Sequence, residues 1–546
     1  MALLFGVPIP FGSIGRLSQQ LWSLADGKQT RYAAALHANA RQVHRAMDAY
    51  GAAGAFAASD VDMLDALFRG SSHSVTGSEA FLEEAARVAR AQWTQFDALS
   101  MAAGIAVMCL ALGLHRAALS SQLVSSASSG QLRTSAILAC VCAGVHACGD
   151  FSVAFMKEEH QMGHALMIAI TFLNTCYAVL HRSHICSSCI ILCCSIAIWA
   201  VSMTGEYKAT HTDHTCSTSW FTPACALNAA RMALSIYIPL LMLPLSILYT
   251  GKTRSISSVG AGLSFCSFLA VALRWLSPAH CELALIILPR LVYMLTVANL
   301  ALACSGRAVA GSQSQAHVLN SAARHLLAAL SPLLLMLTGR PSALIALLTA
   351  GQLAVILAAL PHESRTVDKL VGAPSESSES IPQGSHTPWQ GVWIACVLHA
   401  TSKQLFSATG HRSSFDALHF AAAFTGFSRF NFARQGTLLA LNTWANELVT
   451  AALVPLFAGA IAHNGDAPVL WRSLGVVTLT RSALSAMDAT ASVVAAAALR
   501  RHLHVWSHFA PKFVFQTLAM LVVDTLLLIP TAALLTTLSW RRSPAE

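Results

Sequence analysis

The sequence predicts an all-α fold, a polytopic transmembrane helical bundle of about thirteen spans preceded by a helical hairpin. Two observations carry this. Only 11% of the residues are charged while 55% are hydrophobic, and the mean hydropathy is +0.57; soluble domains carry roughly 25% charged residues. The apolar excess also sits in blocks. Uncharged stretches of roughly 18 or more apolar residues recur, each long enough to cross a ~30 Å hydrocarbon core as a helix. Lipid offers no partner to an unpaired backbone group, so helices are the expected spanning form.

Residues 1–97 do not span. Met1 to Phe11 is apolar but short, and it lacks the basic start and small-residue cleavage site of a signal peptide. Residues 17–50 and 58–97 read as two long helices separated by Gly51 and Gly54. Their apolar residues recur at helical spacing, as at Leu64, Leu67 and Phe68, then Phe81, Val88 and Trp93.

The spans follow near 98–114, 134–156, 162–180, 185–203, 230–250, 259–276, 283–303, 325–339 and 342–360. A Ser/Pro-rich stretch, 361–388, reads as a flexible cytosolic linker. The later spans lie near 389–407, 436–462, 473–499 and 513–538. The chain thus divides into a helical segment, 1–97, a first transmembrane bundle, 98–360, the linker, and a second transmembrane bundle, 389–546.

Loop charge predicts an orientation. Odd loops hold Arg116, Arg133, Arg182, Lys252, Arg254, Arg307 and Arg324, whereas even loops hold Lys157 and Lys208. The positive-inside rule places the odd loops in the cytosol, the N-terminal segment in a lumen and the C-terminus, with Arg541 and Arg542, in the cytosol. A segment of 97 residues is then translocated without a visible signal peptide, so further sequence upstream of Met1 is expected.

The net charge of +9 is spread through loops with no basic stripe, which gives no nucleic-acid footprint. Most of the 15 cysteines lie in apolar blocks and read as small core residues. Cys186 and Cys189 have CxxC spacing, but no second pair follows at metal-site distance. Cys216 and Cys225 are a disulfide candidate if their loop is lumenal. Walker A, GxSxG and HExxH patterns are absent from the chain.

The most unusual polar stretch is 403–435, too polar to span well and too aromatic for a plain loop. As a re-entrant or interfacial segment it brings His411 and His419 to the headgroup level, where polar groups are functional candidates. Thr409, Gly410 and His411 offer a hydroxyl, close backbone approach and an imidazole, a set suited to phosphate or sugar. The competing reading is a structural plug whose histidines bond to carbonyls. After the second span, Lys157, Glu158, Glu159 and His160 either line a cavity or form a solvated loop. Glu206, His211, Asp213, His214 and Cys216 are metal-capable types at irregular spacing, which disfavours a ligand set. Asp150, Arg290, Asn442, Asn446, Glu447, Arg481, Asp488 and Asp524 fall within spans and are expected to face the bundle interior. Arg481 and Asp488 lie two turns apart on one helix face, as an ion pair or clamp.

At 406–427 the sequence FSATGHRSSFDALHFAAAFTGF resembles the F-x-[AS]-T-G-H-Q…F…I-x-W-x-A-A-F-x-G-F block of the GPI ethanolamine phosphate transferases, with Arg412 for Gln and Phe420 for Trp. Leu441-Asn442-Thr443 matches the end of their A-N-T motif. The stretch from Arg500 through His502, Trp506, Phe509, Ala510, Pro511 and Lys512 to Phe515 is similar to R-R-H-L-M-V-W…F-A-P-K-F-[IV]-F. Asp150 to Glu159 is similar to S-x-S-[FY]-x-x-x-E-[ED], and Leu4 to Gly15 to G-[LV]-P-I-P-F-x-N-[IL]-G. Phe11 favours the third-type (PIG-O) class.

This resemblance implies the membrane region of an endoplasmic reticulum, multi-pass enzyme that adds ethanolamine phosphate to the third mannose of a GPI-anchor precursor. It implies that residues 1–97 contain the tail of a lumenal catalytic domain that is missing from this chain, with zinc in that domain and no cofactor in this chain. The implied partners are the GPI glycolipid precursor, phosphatidylethanolamine and a PIG-F-like membrane subunit, with no nucleic acid. No catalytic residue carries over. The implied lipid or acceptor contacts are Thr409, Gly410, His411, His419 and Asn442, with Glu158 and Glu159. Two alternatives stay open: a second-type (mannose-2) transferase, and a non-catalytic membrane scaffold or lipid transporter.

Overall fold

The computed structural model describes residues 9–25, 29–54, 56–71, 74–93, 97–123, 130–180, 185–210, 231–242, 256–277, 281–305, 315–370, 388–462, 467–500 and 508–542. Among them every regular element is helical. The chain separates into two compact units, Met1–Ala102 and Ala103–Glu546.

The first unit holds a short α1 (Gln19–Ala25) and three packed helices, α2 (Gln29–Ala52), α3 (Ala58–Gly70) and α4 (Val75–Trp93). Tyr32, Leu36, Ala40, Val43 and Met47 recur every three or four residues, so one stripe of α2 is sealed against Leu64, Phe81, Leu82, Ala85 and Val88. The 58–97 stretch is therefore two helices, not one. The chain reverses after Ser71, and a Cβ on Gly77 would sit 2.9 Å from the Ser71 Cα, so the tight return requires glycine.

The second unit is a bundle. Its helices are α5 (Ala98–Leu123, begun in the first unit), α6 (Gly130–Cys148), α7 (Val153–Lys157), α8 (Glu159–Leu180), α9 (Ile185–Thr210), α10 (Ile256–Leu276), α11 (Leu288–Ser305), α12 (Gln315–Thr338) and α13 (Ala343–Leu370). They continue with α14 (Pro388–Ala408), α15 (Phe420–Ala423), α16 (Phe432–Thr443), α17 (Ala445–Ile461), α18 (Ala467–Ala498) and α19 (Ala510–Arg542). Nine helices among the described residues are long and apolar enough to cross a membrane, and ten if the bent pair α16–α17 is one span. The all-α, polytopic fold class read from the sequence is the one observed.

α14 organises this unit. It packs against α6, α8, α9, α13, α17 and α18, and Val392, Ile394, Ala395, Cys396, Val397, Leu398 and Ala400 are sealed. A helix enclosed by protein need not be uniformly apolar, which is how it tolerates His399, Thr401, Ser402, Lys403 and Gln404. Glycines allow the approach on two sides. A Cβ on Gly163 of α8 would lie 2.7 Å from the Lys403 carbonyl oxygen, and one on Gly391 would lie 2.9 Å from Val476 of α18.

The structure alters several expectations. The stretch read as one span, 436–462, is two helices bent by 65° at Trp444, whose backbone (φ −106°, ψ 25°) leaves the α region. α13 runs to Leu370, ten residues into the stretch read as linker, and 371–387 lies outside the described residues. Of the 230–250 span only 231–242 is described, as two short helical turns.

Candidate functional site

α14 ends in the Thr-Gly-His stretch, and local rules explain its shape. Gly410 adopts φ +84°, the left-handed cap conformation that glycine enters without penalty. The His411 N–H then closes back on the Phe406 carbonyl at 3.2 Å, and the Gly410 N–H bonds Ser407 O at 3.0 Å. This cap throws His411 inward, where it is 3% exposed.

The imidazole is held at both nitrogens. Asn442, fully buried on α16, donates its amide to the Leu337 carbonyl at 3.1 Å, so its Oδ1 is left to face His411 Nε2, also at 3.1 Å. Nε2 therefore carries the proton, and Nδ1 lies 2.9 Å from the Thr409 hydroxyl, whose single proton also has the Leu405 and Phe406 carbonyls within reach at 2.8 and 3.1 Å. The His419 ring lies 4.4 Å from that of His411, and Phe406 lies 5.4 Å away. Burial, then the neighbouring His419, pushes His411 down to about 4. Burial also lowers His419. The site thus presents a neutral imidazole at physiological pH.

The sign of this shift sets a pH dependence. Between pH 6.5 and 4 the unfolded chain binds a proton at His411 that the native state refuses, so native stability falls as pH falls. Above 6.5 there is no effect. At pH 5.5 the loss is on the order of 1 kcal/mol. Thermal unfolding in detergent at pH 7.5 and 5.5 checks this, and His411→Gln is expected to shrink the difference.

A second left-handed glycine, Gly426 (φ +80°), ends the 406–427 segment against α11. Tyr293 Oη donates to Thr425 O at 2.9 Å and Arg290 Nε to Gly426 O at 3.0 Å. A Cβ there would lie 2.9 Å from Pro289, so the contact needs glycine. Between the two turns the segment exposes Phe415, Phe420 and Phe424, an apolar fringe suited to the headgroup–acyl boundary.

Behind Thr409 and His411 lies a cavity of about 880 Å³. Its walls are chiefly apolar, from Leu327, Leu334, Leu335, Leu353, Val449 and Leu453, while Thr409, His411, Asn442, Thr443 and Asn446 supply polar groups. An apolar chamber with a cluster of oriented polar groups is the shape of a site for an amphiphile.

A smaller cavity of about 450 Å³ is lined by Glu159, Lys403, Ser413, Asn446 and Glu447, among others. A buried charge network surrounds it. Lys512 pairs with Asp150 at 2.9 Å and Glu159 at 3.1 Å, and Ser492 donates to Asp150 at 2.6 Å. Glu159 also accepts from the Ser413 N–H (2.9 Å) and hydroxyl (2.8 Å). Lys403 pairs with Asp488 at 2.7 Å, and Arg481 pairs with Glu447. Three segments far apart in the chain, 150–159, 409–415 and 512–515, thereby meet, with the Phe415 and Phe515 rings 5.9 Å apart.

The structure brings Thr409, Gly410, His411, His419 and Asn442 together and joins Glu159 to them through Ser413. Glu158 is exposed and faces Gln161 (3.1 Å) and His160 (3.7 Å) instead. Arg290 is exposed, held by the Gly426 turn rather than turned into the bundle. Arg481 and Asp488 do not pair with each other. His399 lies between them, 2.8 Å from Arg481 and 3.2 Å from Asp488. Sequence reasoning gives no site role to Lys403, His399, Ser413 or Lys512, although a basic side chain inside an apolar stretch is a signal for the first two. Among the described residues no His, Cys, Asp or Glu cluster could hold a metal. His211, Asp213, His214, Cys216 and Cys225 lie outside them, as do Leu4 to Pro8 and 501–507.

No family model matches the chain, and no solved structure matches it. It is similar to the human protein named GPI ethanolamine phosphate transferase 3, catalytic subunit, at 35% identity over 183 residues, covering 27% of this chain and 16% of that protein. The mouse protein of the same name is 31% identical over 186 residues, covering 26% of this chain and 17% of that protein. The matched region thus spans about a sixth of these relatives' length. The partial matches support that transferase family for this chain.

Proposed function

We propose that this chain is the membrane region of a phosphoethanolamine transferase of GPI-anchor assembly in the endoplasmic reticulum, acting on the third mannose of the glycolipid. The observation that carries the reading is the apolar cavity of about 880 Å³ topped by Thr409, His411 and Asn442, the residues of the family-like block. In this reading the cavity takes the acyl chains of a lipid, the phosphatidylethanolamine donor or the glycolipid acceptor. The neutral imidazole and the Thr409 hydroxyl meet its polar end. A phosphoryl-transfer centre, zinc-dependent in the family, belongs to a lumenal domain outside this chain, and a PIG-F-like subunit is the expected membrane partner. Glu159 and Lys512 hold the segment in place beneath it.

The test is acceptor analysis after depletion of this gene product. Accumulation of a precursor lacking ethanolamine phosphate on the third mannose is expected. A precursor lacking only the mannose-2 group would move the chain to the second-type enzyme. Normal precursors with slowed lipid movement would favour a scaffold or transporter.

A further inference from the structure

We infer that the smaller, charged cavity is a subsite for a primary ammonium, the headgroup of an ethanolamine lipid whose acyl chains lie in the adjoining apolar cavity. Among the described residues, the buried network contains four carboxylates, Asp150, Glu159, Glu447 and Asp488, against three permanent cations, Lys403, Arg481 and Lys512. Counted over these seven groups, without His146, which also lines the cavity, it is one positive charge short. A neighbouring histidine does not supply it at His399. Arg481 can only donate, so the Arg481 N–H at 2.8 Å fixes His399 Nδ1 as an acceptor. The ring proton then sits on Nε2, facing Asp488 at 3.2 Å, and the ring is neutral. An uncompensated charge in a low-dielectric interior is costly unless a ligand or proton completes it.

The second observation is a missing donor. Asn446 is 6% exposed and lines both cavities. Its Nδ2 donates to Ser402 Oγ at 2.8 Å, which fixes the amide orientation, and its Oδ1 has no hydrogen-bond partner. Asp488 Oδ1 is likewise without one. A buried acceptor without a partner, on a residue that lines a cavity whose charge network lacks one cation, fits a ligand that both donates hydrogen bonds and carries that charge. A primary ammonium does both. A quaternary ammonium has the charge without the donors, and a glycerol headgroup has donors without the charge. Asn446 forms part of the wall of both cavities, so an ammonium in one and acyl chains in the other would lie on either side of the same residue.

Naming the lipid rests on the proposed function, but the subsite stands on its own geometry. The experiment is lipid binding to the purified full chain in detergent, measured by native mass spectrometry with phosphatidylethanolamine, phosphatidylcholine and phosphatidylglycerol of matched acyl chains. Phosphatidylethanolamine is expected to bind about tenfold tighter than either, the weight of one charge-assisted contact. Asp488→Asn brings the network to neutrality and should reduce that preference to within about threefold. Lys403→Met combined with Asp488→Asn restores the deficit and should restore the preference, and Lys403→Met alone should keep or raise it. A packing role would not follow charge in this order. Free ethanolamine phosphate competing as well as the lipid would place the recognition in the headgroup alone. Three lipids bound with equal affinity would overturn the ammonium subsite while leaving the lipid cavity intact. The same holds if Asp488→Asn, folded, keeps the full preference, or if the double variant lacks it. No saturable binding of any lipid would overturn both.

Discussion

Replacing Arg481 with methionine is expected to cost about 3–5 kcal/mol of stability, the largest effect expected of any single substitution in the bundle. Arg481 is almost fully buried and holds Glu447, His399 and Ser485 at once. Removing it leaves the Glu447 carboxylate, 3% exposed, without its ion-pair partner. The asymmetry is the test. Arg481→Met together with Glu447→Leu removes both charges and should recover most of the loss, because a buried pair is worth little beyond the penalty of breaking it. Thermal unfolding of the two variants and of Glu447→Leu alone gives the coupling directly. Additive losses would mean that the pair is incidental.

The second large effect is at His411. On the function proposed above, His411→Ala is expected to lower GPI-anchored surface protein about tenfold while leaving expression near normal. The alanine loses the contacts to Thr409 and Asn442 and leaves Asn442 Oδ1 buried without a donor, worth ~1–3 kcal/mol. Those losses fall on the polar end of the cavity, not on the helices that build it. His411→Gln can still donate to Asn442 and should restore part of the activity. Unchanged activity at an unchanged protein level would leave His411 as a structural plug.

Nine of the expected spans were legible among the described residues because each is decided by local chemistry, a long apolar stretch. The place of α14 at the middle of the bundle was not. It depends on Gly163 of α8 and on Gly391 of α14 itself, which let α8 and α18 approach it, and neither glycine announces its neighbour. The break at Ser71 was hidden because apolar spacing continues through it, and only the close approach of Gly77 shows the reversal. At the site, the Thr-Gly-His stretch was legible from its residues and its resemblance. Lys512 was visible as part of a motif, but its pairing with Asp150 and Glu159 joins opposite ends of the bundle sequence. Arg481 and Asp488 illustrate the limit of helix periodicity. Seven residues place them on one face but about 10.5 Å apart along the axis, too far to pair. His399, from another helix, fills the gap.

The most direct test of the central claim is to map where a lipid sits. A photoactivatable phosphatidylethanolamine with a diazirine near the acyl-chain end, crosslinked to the chain in native membranes, should label the cavity lining, chiefly 327–353 and 445–453. Excess unlabelled phosphatidylethanolamine should compete it away, and Leu334→Trp, which narrows the chamber, should weaken it. Labelling spread over the outward faces of α5, α10 and α11, insensitive to both, would mean that the cavity holds no lipid and that the proposed function is wrong at its root.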